Sequence, residues 1–155
     1  MSNGALVPPA RYKRPESVLV VVYTMAGETL LRHRTGQPAF WQSVTGSLEW
    51  GGETPAQAAR RELFEETGIR SQIGWCDRHS ARQFRILPEY RHVYEPGVVD
   101  NLEHVFSLEL PTRCAVRLNP AEHDQSRWEA LSIAANTLWS WTNRAALAQV
   151  VKELV

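Results

Sequence analysis

Cysteine is scarce in this chain, with two in 155 residues, Cys76 and Cys114. A pair cannot build a disulfide framework or a four-cysteine zinc site, so both are expected as reduced, partly buried thiols. Long apolar runs are missing as well. The longest spans residues 18–23, far below the roughly 20 residues that a membrane helix needs. The first ten residues hold two prolines and no apolar segment of the signal-peptide kind. An excess of either charge is also lacking, because 17 Lys and Arg balance 17 Asp and Glu. Nucleic-acid surfaces usually carry a basic excess, so no nucleic-acid partner is expected. These absences together point to a cytoplasmic protein with no membrane partner. The length excludes a TIM barrel or a two-domain dehydrogenase and suits one domain over residues 1–155.

What is present is an ordinary apolar fraction of 43%, too high for a disordered chain of zero net charge. Residues 17–23 are β-branched and continuous, which predicts a buried strand. A turn at residues 25–27 and a second strand at 28–34 follow, then a short strand at 41–44. Further strands are expected at 72–78, 82–87, 104–110, 114–118 and 127–130. Between them the punctuation predicts a helix over 55–67. Thr54 is a natural N-cap, Pro55 fits the first turn, Gln57 completes a capping box and Gly68 suits a left-handed C-terminal cap. Ala56, Ala59 and Leu63 would form its apolar stripe. A closing helix at 142–154 would bury Ala145, Leu147, Ala148, Val151 and Leu154. Strands with helices on both faces give an α/β class, a mixed sheet in an α/β/α sandwich. Tryptophans 75, 128 and 139 are expected in packing roles. Trp41, next to Phe40, has two readings: packing, or a platform for a flat ligand.

The predicted helix is where the charge collects. Glu62, Glu65 and Glu66 lie three and four residues apart, so all three project from one side and repel. Arg61 can pair with Glu65 along the helix, whereas Glu62 and Glu66 have no equally placed cation. A bound Mg²⁺, or Mn²⁺ in its place, would offset the repulsion, since carboxylates suit such cations and Mg²⁺ bridges readily to substrate phosphates. A solvated acidic face is the plainer alternative for three glutamates alone.

The surrounding residues favour the metal. Glu53, seven residues, Arg61-Glu62-Leu63, one residue, Glu65-Glu66, one residue, Gly68-Ile69 resembles the signature of the Nudix hydrolases. The glycine that opens the signature is due at Ser47, but the chain has Gly46, and Gly51-Gly52 adds one residue to the loop. The stretches Tyr12-Lys13-Arg14-Pro15, Trp41-Gln42-Ser43-Val44-Thr45-Gly46, Tyr94-Glu95-Pro96-Gly97 and Trp141-Thr142-Asn143-Arg144 resemble one subfamily, the dihydroneopterin triphosphate pyrophosphatases of folate synthesis.

The resemblance implies a Mg²⁺-dependent pyrophosphohydrolase of a small-molecule triphosphate, turning dihydroneopterin triphosphate into dihydroneopterin monophosphate and pyrophosphate, with a housecleaning nucleoside triphosphate pyrophosphatase as the alternative. It implies Glu62, Glu66 and Glu122 as metal ligands. Glu65 and Arg61 join them in the catalytic set, with general base as the other role open to Glu122 and His123 its rival there. It also implies Lys13, Arg34, Thr45 and Ser140 as substrate contacts, with residues 84–87 bordering the heterocycle. The oligomeric state stays open.

Overall fold

The computed structural model describes residues 12–154. Its centre is β1 (Glu16–Thr24), buried along nearly its whole length as the continuous apolar run demands. On one edge β1 runs parallel to β6 (Asp100–Leu110), from Glu16↔Leu102 to Thr24↔Leu110. On the other edge it has two partners. Its first half, Ser17 to Val20, pairs antiparallel with β4 (Val44–Ser47), and near its end Tyr23 meets Thr29 of β2 (Glu28–Arg34). The sheet therefore forks. β2 pairs along its whole length with β7 (His123–Ala130), and beyond Thr29 it leaves β1 to pair with β3 (Trp41–Gln42). The far edge is β5 (Trp75–Arg85), antiparallel to β6.

Alternation along β1 sends side chains to two cores. Val18, Val20 and Val22 pack with Ala58, Ala59 and Leu63 of α1 (Pro55–Thr67). Leu19, Val21 and Tyr23 pack with Ala146, Leu147 and Val150 of α3 (Trp141–Glu153) and Ala134 of the short α2 (Leu131–Ala134). The result is the expected sandwich, a seven-stranded mixed sheet between helices. No described helix is long and apolar enough to cross a membrane.

The caps of α1 form as read. Thr54 accepts from the Gln57 amide, the Gln57 side chain answers it, and Gly68 is left-handed at φ 77°. Other expectations need correction. Ala56 is exposed and Ala58 takes its place in the stripe. In α3 the inward face is Thr142, Asn143, Ala146, Leu147 and Val150, while Ala148 and Leu154 are exposed. An apolar-only criterion turned the face, because Asn143 belongs inside, where its Oδ1 accepts from the Ser43 amide at 2.8 Å.

Residues 41–44 are not one strand: β3 and β4 are separate, divided at Ser43, whose amide is taken by that bond. The two stretches 72–78 and 82–87 merge into β5, with a register irregularity between Asp77 and Ala81. Residues 114–118 form no strand. They cross the end of α1, where the Arg117 amide donates to the Thr67 carbonyl at 2.8 Å. Both cysteines are exposed rather than partly buried.

Candidate functional site

One arginine organises the acidic face of α1. Arg61 Nε and Nη2 donate to the two oxygens of Glu53 at 2.7 and 2.9 Å, a bidentate fork. Its Nη1 donates to Glu62 at 2.7 Å and Glu65 at 2.9 Å, and its Nη2 also reaches the Ser47 carbonyl at 2.9 Å. The Glu53 carboxyl is thereby held below the usual range. Glu66 has a different cation. Arg32, fully buried on β2, donates to Glu66 Oε1 at 2.9 Å. The second oxygen of Glu66 is buried with no hydrogen-bond partner among the described residues. Burial, and then the adjacent Glu66 carboxylate, push Glu62 well above the ordinary carboxylate range. The helix thus has more cationic support than its own sequence offers, yet one oxygen remains open and one like-charged pair unrelieved.

The displaced glycine explains itself in space. A Cβ on Gly46 would sit 2.0 Å from Glu62 Oε2, so a side chain there would occupy the carboxylate's place. Gly46 lets Glu62 lie against β4. The extra residue of the loop is absorbed at its exposed tip, where Gly51 and Gly52 adopt φ of 97° and 94° with open space around them.

These carboxylates open on a cavity of about 1110 Å³, lined from both prongs of the fork. Glu62, Glu65, Glu66 and Arg61 line it, together with Lys13, Arg34, Thr45 and Glu122. Lys13 is exposed and tied by its amide to the Val93 carbonyl at 2.8 Å. Arg34 ends β2 over the Tyr90 ring, and Thr45 accepts from Gln42 Nε2 at 2.8 Å. Glu122 is exposed in the turn before β7 and accepts from Asn119 Nδ2 at 3.2 Å. It shares the cavity with Glu62 and Glu66, but among the described residues no three acidic, His or Cys side chains converge as one cation cage.

Ser140 is elsewhere. Its hydroxyl caps α3, accepting from the Thr142 and Asn143 amides, and it is not among the residues that line the cavity. Trp41 is likewise taken up by packing, tilted on His33 with Arg127 over its ring. His123 is buried, with Nδ1 3.3 Å from Arg32 Nη1. Burial first, then Arg32 and Arg34, push it down to about 3. It is a neutral neighbour of Arg32 and lines the same cavity as Glu122.

Residues 13–150 match the NUDIX domain family. The chain belongs to the Nudix hydrolases. Over 144 residues this Nudix hydrolase is 42% identical to the dihydroneopterin triphosphate diphosphatase of Escherichia coli K12, covering 90% of this chain and 94% of that one. It is 33% identical over 148 residues to the protein of the same name from Haemophilus influenzae, covering 93% and 92%. The solved structure of the E. coli dihydroneopterin triphosphate pyrophosphohydrolase superposes with a TM-score of 0.83 at 41% identity, covering 92% of this chain and 98% of that one.

Nudix hydrolases work with divalent metal ions, and the residues here fit one. The donors are hard carboxylate oxygens, and the unpartnered Glu66 oxygen and the crowded Glu62–Glu66 pair both call for a cation. Reading the sequence alone missed Arg32, although a cation inside the buried run of β2 was a signal, since a buried charge needs a partner. It also missed Ser17, Asn101 and Glu103, buried polar residues that line the same cavity on the α3 side of the sheet.

Proposed function

We propose that this Nudix hydrolase splits dihydroneopterin triphosphate with water into dihydroneopterin monophosphate and pyrophosphate, with Mg²⁺ as its cation. Identity of 42% over 90% of the chain with a protein named for that substrate carries the reading. A cavity with carboxylates at one end and basic side chains along it suits a triphosphate.

Glu62 and Glu66 would hold the cation, which supplies neutralisation of phosphate charge and polarisation of phosphorus. Arg61 fixes Glu53, Glu62 and Glu65 in place. Arg32 takes one oxygen of Glu66 and leaves the other without a partner among the described residues. Lys13 offers the phosphate tail a point charge, Arg34 a planar fork and Thr45 a hydroxyl. Glu122 completes the metal site or accepts the proton of the attacking water.

Product analysis in ¹⁸O water, run beside a panel of nucleoside triphosphates, tests the reaction and locates the attacked phosphorus. A nucleotide turned over tenfold faster in kcat/KM would replace the pterin as substrate. Glu62→Gln and Glu66→Gln should each lower kcat by roughly 100-fold or more in a folded protein. Unchanged turnover in both would remove them from the metal site, and full activity in Glu122→Gln would remove Glu122.

A further inference from the structure

At the cavity's other end lies a carboxyl group that the phosphate chemistry does not use. Glu103 of β6 is 5% exposed and Asn101, two residues earlier on the same face, is 2% exposed. Both line the cavity. Their cross-strand neighbours are Ser17 on β1, opposite Glu103, and Arg82 and Phe84 on β5, opposite Glu103 and Asn101. The patch is thus a polar floor across three strands, set into the face that elsewhere buries Leu19, Val21 and Val105 against α3.

The hydrogen bonding of this floor is incomplete. Asn101 Nδ2 donates to Ser17 Oγ at 2.7 Å, and its Oδ1 is buried with no partner among the described residues. Arg82 stands next to Glu103 across the strands, yet it donates to Gln149 at 3.1 Å, and among the described residues no ion pair joins the two. A carboxyl group so enclosed costs stability unless something completes it. Burial raises its pKa to about 7, with a contact to Thr142 and the charge of Arg82 pulling weakly the other way.

The floor also shares its cavity with the acidic helix. Glu62 rests against Gly46, Gly46 is opposite Val18, and the next residue, Ser17, is opposite Glu103. Glu103 therefore stands on the opposite face of β1 from Glu62, and the one cavity that both line reaches round the fork from the α1 side to the α3 side.

We propose that Glu103 and Asn101 form the subsite that reads the heterocycle, Glu103 accepting from the adjacent ring N–H and exocyclic NH₂ of a 2-amino-4-oxo edge while Asn101 Oδ1 takes a further donor. A carboxylate offers two parallel acceptors that match such a donor pair. Half-buried Phe84 supplies an apolar wall for the flat ring. The assignment rests on the triphosphate reading above, and it goes further by naming the chemical group that is selected. Guanine carries the same edge as a pterin, adenine does not, and hypoxanthine lacks only the 2-amino group.

The test therefore compares kcat/KM for dihydroneopterin triphosphate, GTP and ITP by pyrophosphate release. Wild type should favour GTP over ITP by about tenfold or more, because an unmatched buried acceptor is costly. In Glu103→Gln the ratio should fall close to one, since an amide presents an N–H where the ligand also donates, and the change should appear chiefly in KM. Phosphate-free neopterin, titrated by fluorescence, should bind about tenfold more weakly to Glu103→Gln. A GTP to ITP ratio near one in wild type overturns the subsite without any variant, and so does a ratio that survives in folded Glu103→Gln. A preserved ratio with slow turnover of dihydroneopterin triphosphate would sink the proposed substrate and keep the subsite. Fast turnover with a flat ratio would do the reverse.

Discussion

Two carboxyl groups along one cavity, the half-buried Glu62 and the buried Glu103, are housed in different ways. Glu62, at the α1 end, has Arg61 at 2.7 Å, and its neighbour Glu66 has Arg32 at 2.9 Å. Glu103, at the β6 end, faces Arg82 across the strands and makes no ion pair with it. Taking an ion out of water costs several kcal/mol, which only good geometry and further hydrogen bonds offset. At the α1 end the chain supplies most of that offset itself and leaves room for a cation. At the β6 end it supplies a contact to Thr142 and the nearby charge of Arg82 but no ion pair, and Asn101 Oδ1 beside it is without a partner among the described residues, which leaves a place for a ligand's donors. The same reasoning separates the arginines: Arg32 and Arg61 complete acidic groups, whereas Arg82 braces α3 through Gln149.

The comparison breaks most visibly at Arg32. Arg32→Leu removes the cation that pairs with Glu66 and leaves a buried carboxylate beside Glu62. A loss of about 3–5 kcal/mol in unfolding by denaturant is expected, in the range for breaking a buried pair from one side. Arg82→Leu should cost less, because Arg82 makes no ion pair with Glu103 and acts on it only weakly through its charge. Equal losses in the two variants would erase the distinction between the two ends.

A smaller effect is expected at Gly46. Gly46→Ala introduces a Cβ where Glu62 Oε2 lies, but the clash is with the end of a side chain that can move. Stability should fall by only about 1 kcal/mol. Activity should fall more, about tenfold or beyond, because a carboxylate displaced by an ångström no longer meets its ligand. Wild-type kcat in Gly46→Ala would show that Glu62 does not need that seat.

The α1 end was legible before any coordinates because its determinants are local. Thr54, Gln57 and Gly68 act within a few residues of one another, and the spacing of Arg61, Glu62, Glu65 and Glu66 fixes their common side. The β6 end was not legible, because nothing near Glu103 in sequence says that β1 changes partners between Val20 and Tyr23. That fork decides which strand residues face a cavity. Residues 114–118 failed for a related reason: strand-like composition cannot say whether a neighbouring edge is available. Ser140 was read as a substrate contact, while its hydroxyl is used by the first amides of α3. Trp41, weighed as a platform for a flat ring, is packed between His33 and Arg127.

Burial raises the carboxyl groups at both ends, and the effect at Glu103 can be isolated through its pH dependence. Burial raises Glu103 from 4.5 to about 7 in the folded chain. The folded state therefore holds this proton to higher pH than the unfolded state does, and the contribution of this one group to stability is lost as pH rises from about 4.5 to about 7. Glutamine has nothing to ionise. Glu103→Gln should match wild type near pH 4 and exceed it above pH 7, by on the order of 1 kcal/mol. Paired thermal melts at pH 4.5 and pH 8 would read the difference. It should shrink again when neopterin is added, since the ligand completes the Glu103 carboxylate and finds no second acceptor in the variant's amide. A variant less stable than wild type at pH 8 would mean that the chain itself satisfies the carboxylate, and the contrast with Glu62 would fail. A more stable variant that has lost the GTP preference would show stability given up at this position for recognition.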